Sequence, residues 1–301
     1  MDDKPASGGS RLISARGRKA WWLAGLVSTA ALPALAGPVV FSTGGVDGRM
    51  AAASRPATPG RFEIETADDF TVSSRTRYTH ATVTGLLTGG AGLADIQSVA
   101  TEVYRVFPND ANTGRTPNVP TRTNSPSDLA LTSRDSGSGS LSFTLTVLSN
   151  NFVASNSVAP GGIHASPNQT TGGNGAVGGI EVLIDIAFST ALELDADHYF
   201  FAPQLALAHG DFYWLSTARP IAAQGTPFSP DLQGWTRDAA LGPDWLRVGT
   251  DIVGGAGAPT YNFAFSLDGQ TVAATVPEPS APALVLLATA AAWAGITKRR
   301  R

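Results

Sequence analysis

The 301-residue sequence contains no cysteine. That excludes a disulfide framework, a thiolate nucleophile and any cysteine-ligated metal. Lysine is nearly as scarce: Lys4, Lys19 and Lys298 all lie towards the two ends. The 240 residues from Gly37 to Val276 hold none, which removes Schiff-base chemistry and a phosphate-loop lysine from that body. Its twelve cationic residues are all arginine and stand against 21 acidic ones, a formal net charge of −9. Binding to a phosphate backbone rests on cationic neutralisation, so no nucleic-acid partner is expected. A domain without disulfides must be held by its apolar core alone, and 240 residues suffice for one.

Long apolar runs occur only at the two ends. Arg11, Arg16, Arg18 and Lys19 form a basic n-region ahead of an apolar stretch from Ala20 to Leu35, broken by Pro33. Ala34-Leu35-Ala36 is a small-x-small cleavage site, with Ala34 and Ala36 as the small residues. Residues 1–36 therefore read as a secretory signal peptide. The leader has no twin-arginine pair, which favours the general secretion translocon followed by signal peptidase.

At the other end, Val276 precedes Pro277-Glu278-Pro279, then an uncharged apolar stretch from Ala281 to Ile296, then Lys298, Arg299, Arg300 and Arg301. Sixteen helical residues span roughly 24 Å, somewhat short of a hydrocarbon core of about 30 Å. Such a helix crosses only if its flanks snorkel or the bilayer thins. The terminal cations favour the cytoplasmic side, which leaves the body outside with the inner membrane as its tether. Pro277 and Pro279 disfavour helix, so the helix is expected to start near Ala281.

Proline-Glu-Pro, apolar helix and basic terminus, in that order behind a secretory leader, resemble the PEP-CTERM sorting signal of Gram-negative bacteria. The resemblance implies recognition and processing by an integral-membrane exosortase. It also implies association with exopolysaccharide and biofilm, and a final place on the cell surface or in the extracellular matrix. It covers residues 277–301. Within the body, Gly48-Arg49-Met50, Glu102–Pro108, Asn124–Asp128 and Pro243–Arg247 are similar to uncharacterised exported proteins of that group.

The body alternates with period two. Leu141, Phe143, Leu145 and Val147 interleave with Ser142, Thr144 and Thr146, and Ile180–Phe188 and Phe263–Leu267 repeat the pattern. Further strands are expected at 62–72, 78–87, 99–107, 199–208 and 211–217. These predict an all-β fold, a single antiparallel β-sandwich of jelly-roll type. Three long connections, 108–140, 150–179 and 219–257, exceed the usual loop length.

Candidate chemistry is sparse. Gly173-x-Gly175-x-x-Gly178 matches a dinucleotide fingerprint as a string, but it follows a loop and opens a strand, so it reads as loop glycine. Asp195 and Asp197, beside His198, have a spacing that suits calcium, and also suits turn residues at a strand end. His209 lies about ten strand residues from His198, some ~35 Å along the chain, too far to share a metal with it. His80 and His164 have no distinctive neighbourhood, and no Gly-x-Ser-x-Gly elbow is present. Trp214, Trp235 and Trp245 admit two readings: a platform for sugar rings, or anchors that pin a long loop. Asn168-Gln169-Thr170 is a lone glycosylation sequon. The body is thus expected to be non-enzymatic, without catalytic residues or a cofactor. The alternatives are a carbohydrate- or calcium-binding module and a secreted hydrolase.

Overall fold

A computed structural model describes residues 37–164, 170–218, 232–254 and 259–272. The signal-cleavage residues Ala34 and Ala36, the tail from Val276 to Arg301, and Asn168 and Gln169 of the sequon lie outside the described residues.

The described chain is all-β and antiparallel-rich. Its strands are β1 (Pro38–Ser42), β2 (Val46–Ala53), β3 (Ile64–Val72), β4 (Thr76–Leu87), β5 (Ile96–Arg105), β6 (Thr132–Asp135), β7 (Leu141–Ala154), β8 (Asn156–Val158), β9 (Val177–Leu194), β10 (Asp197–Leu207), β11 (Phe212–Thr217), β12 (Trp235–Asp238), β13 (Leu246–Arg247), β14 (Asn262–Phe263) and β15 (Phe265–Thr271). One sheet runs β1-β15-β4-β11-β2-β8, with β9 on the other edge of β4 and β7 outside β9. β4 supports both arrangements because it is 12 residues long. β15 pairs with its first part and β11 with Gly85, Leu86 and Leu87. The second sheet is ordered β13-β12-β3-β10-β5-β6.

The two sheets face one another across an aromatic core. Phe70 from β3 and Tyr199 and Phe201 from β10 meet Trp214, Phe263 and Phe265 from the first sheet. Phe201 and Phe265 stack at 5.4 Å, and the rings of Trp214 and Phe263 lie 5.1 Å apart. Gly85 of β4 admits no side chain, because an added Cβ would come within 2.2 Å of the Phe212 ring. Both outer faces are also partly covered, by smaller apolar clusters under the connections.

The alternating segments all became strands. β2 was not expected, and its composition explains why. Its sequence VDGRMAAA is buried over its last four residues on both faces, so no polar alternation marks it. The long connections are less bare than their composition suggests: β6, β8, β12 and β13 lie within them. Gly173 and Gly175 take positive φ in a segment that runs into β9, the loop-glycine arrangement.

Candidate functional site

The outer face of the second sheet carries a group of buried charged side chains. In β3, alternation sends Glu65, Ala67 and Asp69 to that face, while Phe70 and Val72 enter the core. Register brings the rows together: Arg237 of β12 lies opposite Glu65, Trp235 opposite Ala67, and Phe200 of β10 opposite both Asp69 and Tyr104 of β5. The small side chains of Ala67 and Ala202 leave room for two tryptophans in the same cluster.

At the centre, Arg237 Nε donates to Glu65 Oε2, and its Nη2 donates to the Tyr104 hydroxyl at 2.9 Å. Glu65 and Tyr104 are almost fully buried. The Tyr104 hydroxyl also contacts Glu65 Oε1 at 2.7 Å and Glu102 Oε2. A phenol has one hydrogen to donate. It cannot serve both carboxylates at once, so both contacts are satisfied only with a proton on one of the two carboxyls. Burial pushes the Glu102 carboxyl up, and the adjacent Glu65, by hydrogen bond and by charge, adds to the rise, to about 7. Glu63, which accepts from Gln204 at 3.3 Å, is raised by burial and then by Glu65. For Arg237, burial opposes the cation, but the charge of Glu65 and its hydrogen bond outweigh it and raise the pKa.

Two long connections close over this cluster. The Arg237 guanidinium lies 4.2 Å from the Trp245 ring centre and 5.2 Å from that of Tyr104. Its Nη1 donates to the carbonyls of Asp128 and Pro243, at 3.3 Å each. Trp245 Nε1 donates to the Ser127 carbonyl at 3.1 Å. Beside it, Arg115 grips Asp244 with two parallel bonds, at 2.8 and 2.7 Å, and the Asn118 backbone N–H adds a third at 2.8 Å. Burial alone would raise the Asp244 carboxyl, but Arg115, the Asn118 amide and Arg122 together hold it below the ordinary range. Arg122 also bonds Asp128 and covers the Phe107 ring at 4.4 Å. Next to this lies an open hollow of about 540 Å³, lined by Asp110, Arg115, Asp128, Leu129 and Pro243 among others.

The residues singled out from sequence fall elsewhere or serve differently. Trp214 is in the sandwich core with Nε1 bonded to the Ala264 carbonyl, and Trp235 and Trp245 are also buried. The platform of exposed tryptophan faces is therefore corrected: packing and arginine cover all three rings, and no face is left for a sugar. Trp245 does anchor a connection. Asp195 is mostly exposed, 3.8 Å from Arg75, and lines a hollow of about 250 Å³ with Arg105, Arg134 and Tyr199. Asp197 Oδ1 accepts from the His198 amide at 2.8 Å. His198 Nε2 meets Asp69 Oδ2 at 2.6 Å in a buried pair, while His209 meets Asp95 at 3.1 Å at the far end of β10. Among the described residues no group of three or more His, Asp or Glu side chains converges in a way that would hold a metal ion.

Sequence reasoning missed Glu65, Glu102 and Arg237 as a unit, although part of the signal was there. Three of the four strings singled out in the body's sequence, Glu102–Pro108, Asn124–Asp128 and Pro243–Arg247, meet at this cluster. No known family, curated protein or solved structure matches this chain.

Proposed function

We propose that this chain is an exported cell-surface or matrix protein of a Gram-negative bacterium, tethered in transit by its C-terminal helix and then processed by an exosortase. Its body is a non-enzymatic β-sandwich associated with exopolysaccharide. The observation that carries this reading is the ordered tail, Pro277-Glu278-Pro279, apolar stretch and Lys298–Arg301, behind a secretory leader.

Two features of the body support it. β1 and β15 are antiparallel neighbours, with Pro38 opposite Gln270. Gly37 N donates to Thr271 Oγ1 at 2.9 Å, and Thr271 N donates to the Gly37 carbonyl at 3.0 Å. The body's first and last strands thus lie side by side, so the proposed leader and tail join it at neighbouring positions. The second feature is the use of charge. The buried carboxylate pair Glu65 and Glu102 is engaged by Tyr104 and Arg237, as a structural brace requires.

Mass spectrometry of the exported protein tests the proposal. The expected mature form begins at Gly37 and lacks Lys298–Arg301; a mature form that retains those four residues removes the processing claim.

A further inference from the structure

The sheet edges are treated unequally. A strand edge with unpaired N–H and C=O groups is a template for another strand, and proteins blunt such edges by shortness, charge or proline. Among the described residues, five of the six strands with a single partner follow that rule, β14 by having only two residues. β1 has five residues and starts at Pro38, and β8 has three. β6 has four, including Arg134 and Asp135, and β13 has two, one of them Arg247. β7 does not: its 14 residues, LSFTLTVLSNNFVA, contain neither charge nor proline. Its only strand partner among the described residues is β9. The irregularities in that pairing begin after Val147, so Leu141–Val147 is the regular stretch. Along it Ser142, Thr144 and Thr146 are exposed and Phe143 and Leu145 only half-buried, with Val147 and Leu148 at 38% and 50% exposure.

We propose that β7 is a self-pairing edge, at which a second copy of this chain adds its own β7 antiparallel and joins the two sandwiches through one continuous sheet. Charge selects the occupant. A body of net charge −9 repels its own copies, and among the described residues β7 is the one long edge where two backbones meet with no charged side chain opposed. The nearest acid, Asp185, sits opposite Thr144 on β9. Across the dimer the two Asp185 residues stand about three strand spacings apart, about 14 Å, beyond the ~10 Å screening length. A charged partner would find no counter-ion on this strand.

The two-fold axis passes at Thr144, the midpoint of the regular stretch, which places Thr144 opposite its counterpart and Ser142 opposite Thr146. The half-buried Phe143 and Leu145 then continue into the second copy. Seven residues give a seam of about 24 Å, smaller than a standard interface of about 1,600 Å². The dimer is therefore weak in dilute solution and fills when copies are crowded on one surface. Only that crowding rests on the proposed export. The seam itself can be tested on the full chain whether or not the tail is processed.

The cysteine-free background makes the test direct. Thr144→Cys in the full chain is expected to give a disulfide-linked homodimer under mild oxidation, since facing strand residues lie within the 4.4–6.8 Å Cα separation a disulfide needs, on the order of 5 Å. Ser142→Cys and Thr146→Cys are expected to cross-link to each other when mixed, and Thr144→Lys placed on both chains is expected to abolish that product. Thr113→Cys, exposed in a loop, is the control. Cross-linking of Thr113→Cys to the same yield, no dimer from the β7 positions, or a mixed disulfide with a different protein in place of the homodimer would each overturn the proposal.

Discussion

The outer face of the second sheet and the free edge of the first reverse the usual placement of charge. Glu65, Glu102 and Arg237 form a buried charged group with Tyr104, and it is sealed under two connections. β7, the long edge strand without any charge, is open. The contrast shows two uses of polarity. Where a charge can be fully partnered, burial turns it into a brace that fixes one arrangement of loops. Where an edge has no charge, nothing prevents another strand from pairing there.

The brace should break first. Arg237→Met leaves Glu65 buried without its cation, and denaturant unfolding is expected to show a loss of about 3–5 kcal/mol. Adding Glu65→Leu should recover most of it, because an apolar pair of similar volume avoids the desolvation cost. If the double variant were as unstable as the single, the ion pair would not be what holds the connections. Trp245→Phe comes next, at about 1–2 kcal/mol, from a lost hydrogen bond to Ser127 and lost volume over Arg237. Limited proteolysis should then cut near 124–131 or 238–246 before it cuts the strands.

Dependence on pH sharpens the same side of the comparison. The Glu102 carboxyl is raised in the folded state to about 7, from an ordinary 4.5. Between those values the folded chain holds a proton that the unfolded chain has released. Its contribution is therefore complete below about pH 4.5 and is lost as pH rises through about 7. Unfolding midpoints measured from pH 5 to 8 should fall across that window, and Glu102→Gln should flatten the fall. An unchanged slope in the variant would assign the pH response to other groups. The smallest effect is expected at the open edge. Thr144→Lys should change stability by less than about 0.5 kcal/mol, because its side chain is exposed, while it abolishes cross-linking between copies.

Legibility followed burial. β7 and β9 announced themselves by alternation because one of their faces is wet, and Leu141–Val147 could be read residue by residue. β2 was silent because its Met50–Ala53 end is buried on both faces. The tryptophans were ambiguous for the related reason that an aromatic side chain carries the same letter whether its face is covered or open. Trp245 is covered because Arg237, Tyr104 and Ser127 come to it from β12, β5 and the connection before β6. The acid cluster was the least legible, since Glu65, Glu102 and Arg237 are far apart in the chain and meet only through strand register.

By itself the sequence determined the class of fold, the charge balance and the chemistry excluded by missing cysteine and lysine, because periodicity and composition are local properties. It also carried the two end segments on which the proposed export rests. Tertiary structure decided which charges are buried and partnered, that the body's first and last strands lie side by side, and that one long uncharged strand is left at an edge among the described residues. Those are outcomes of long-range pairing. They depend on which strands become neighbours, and no window along the chain contains that information.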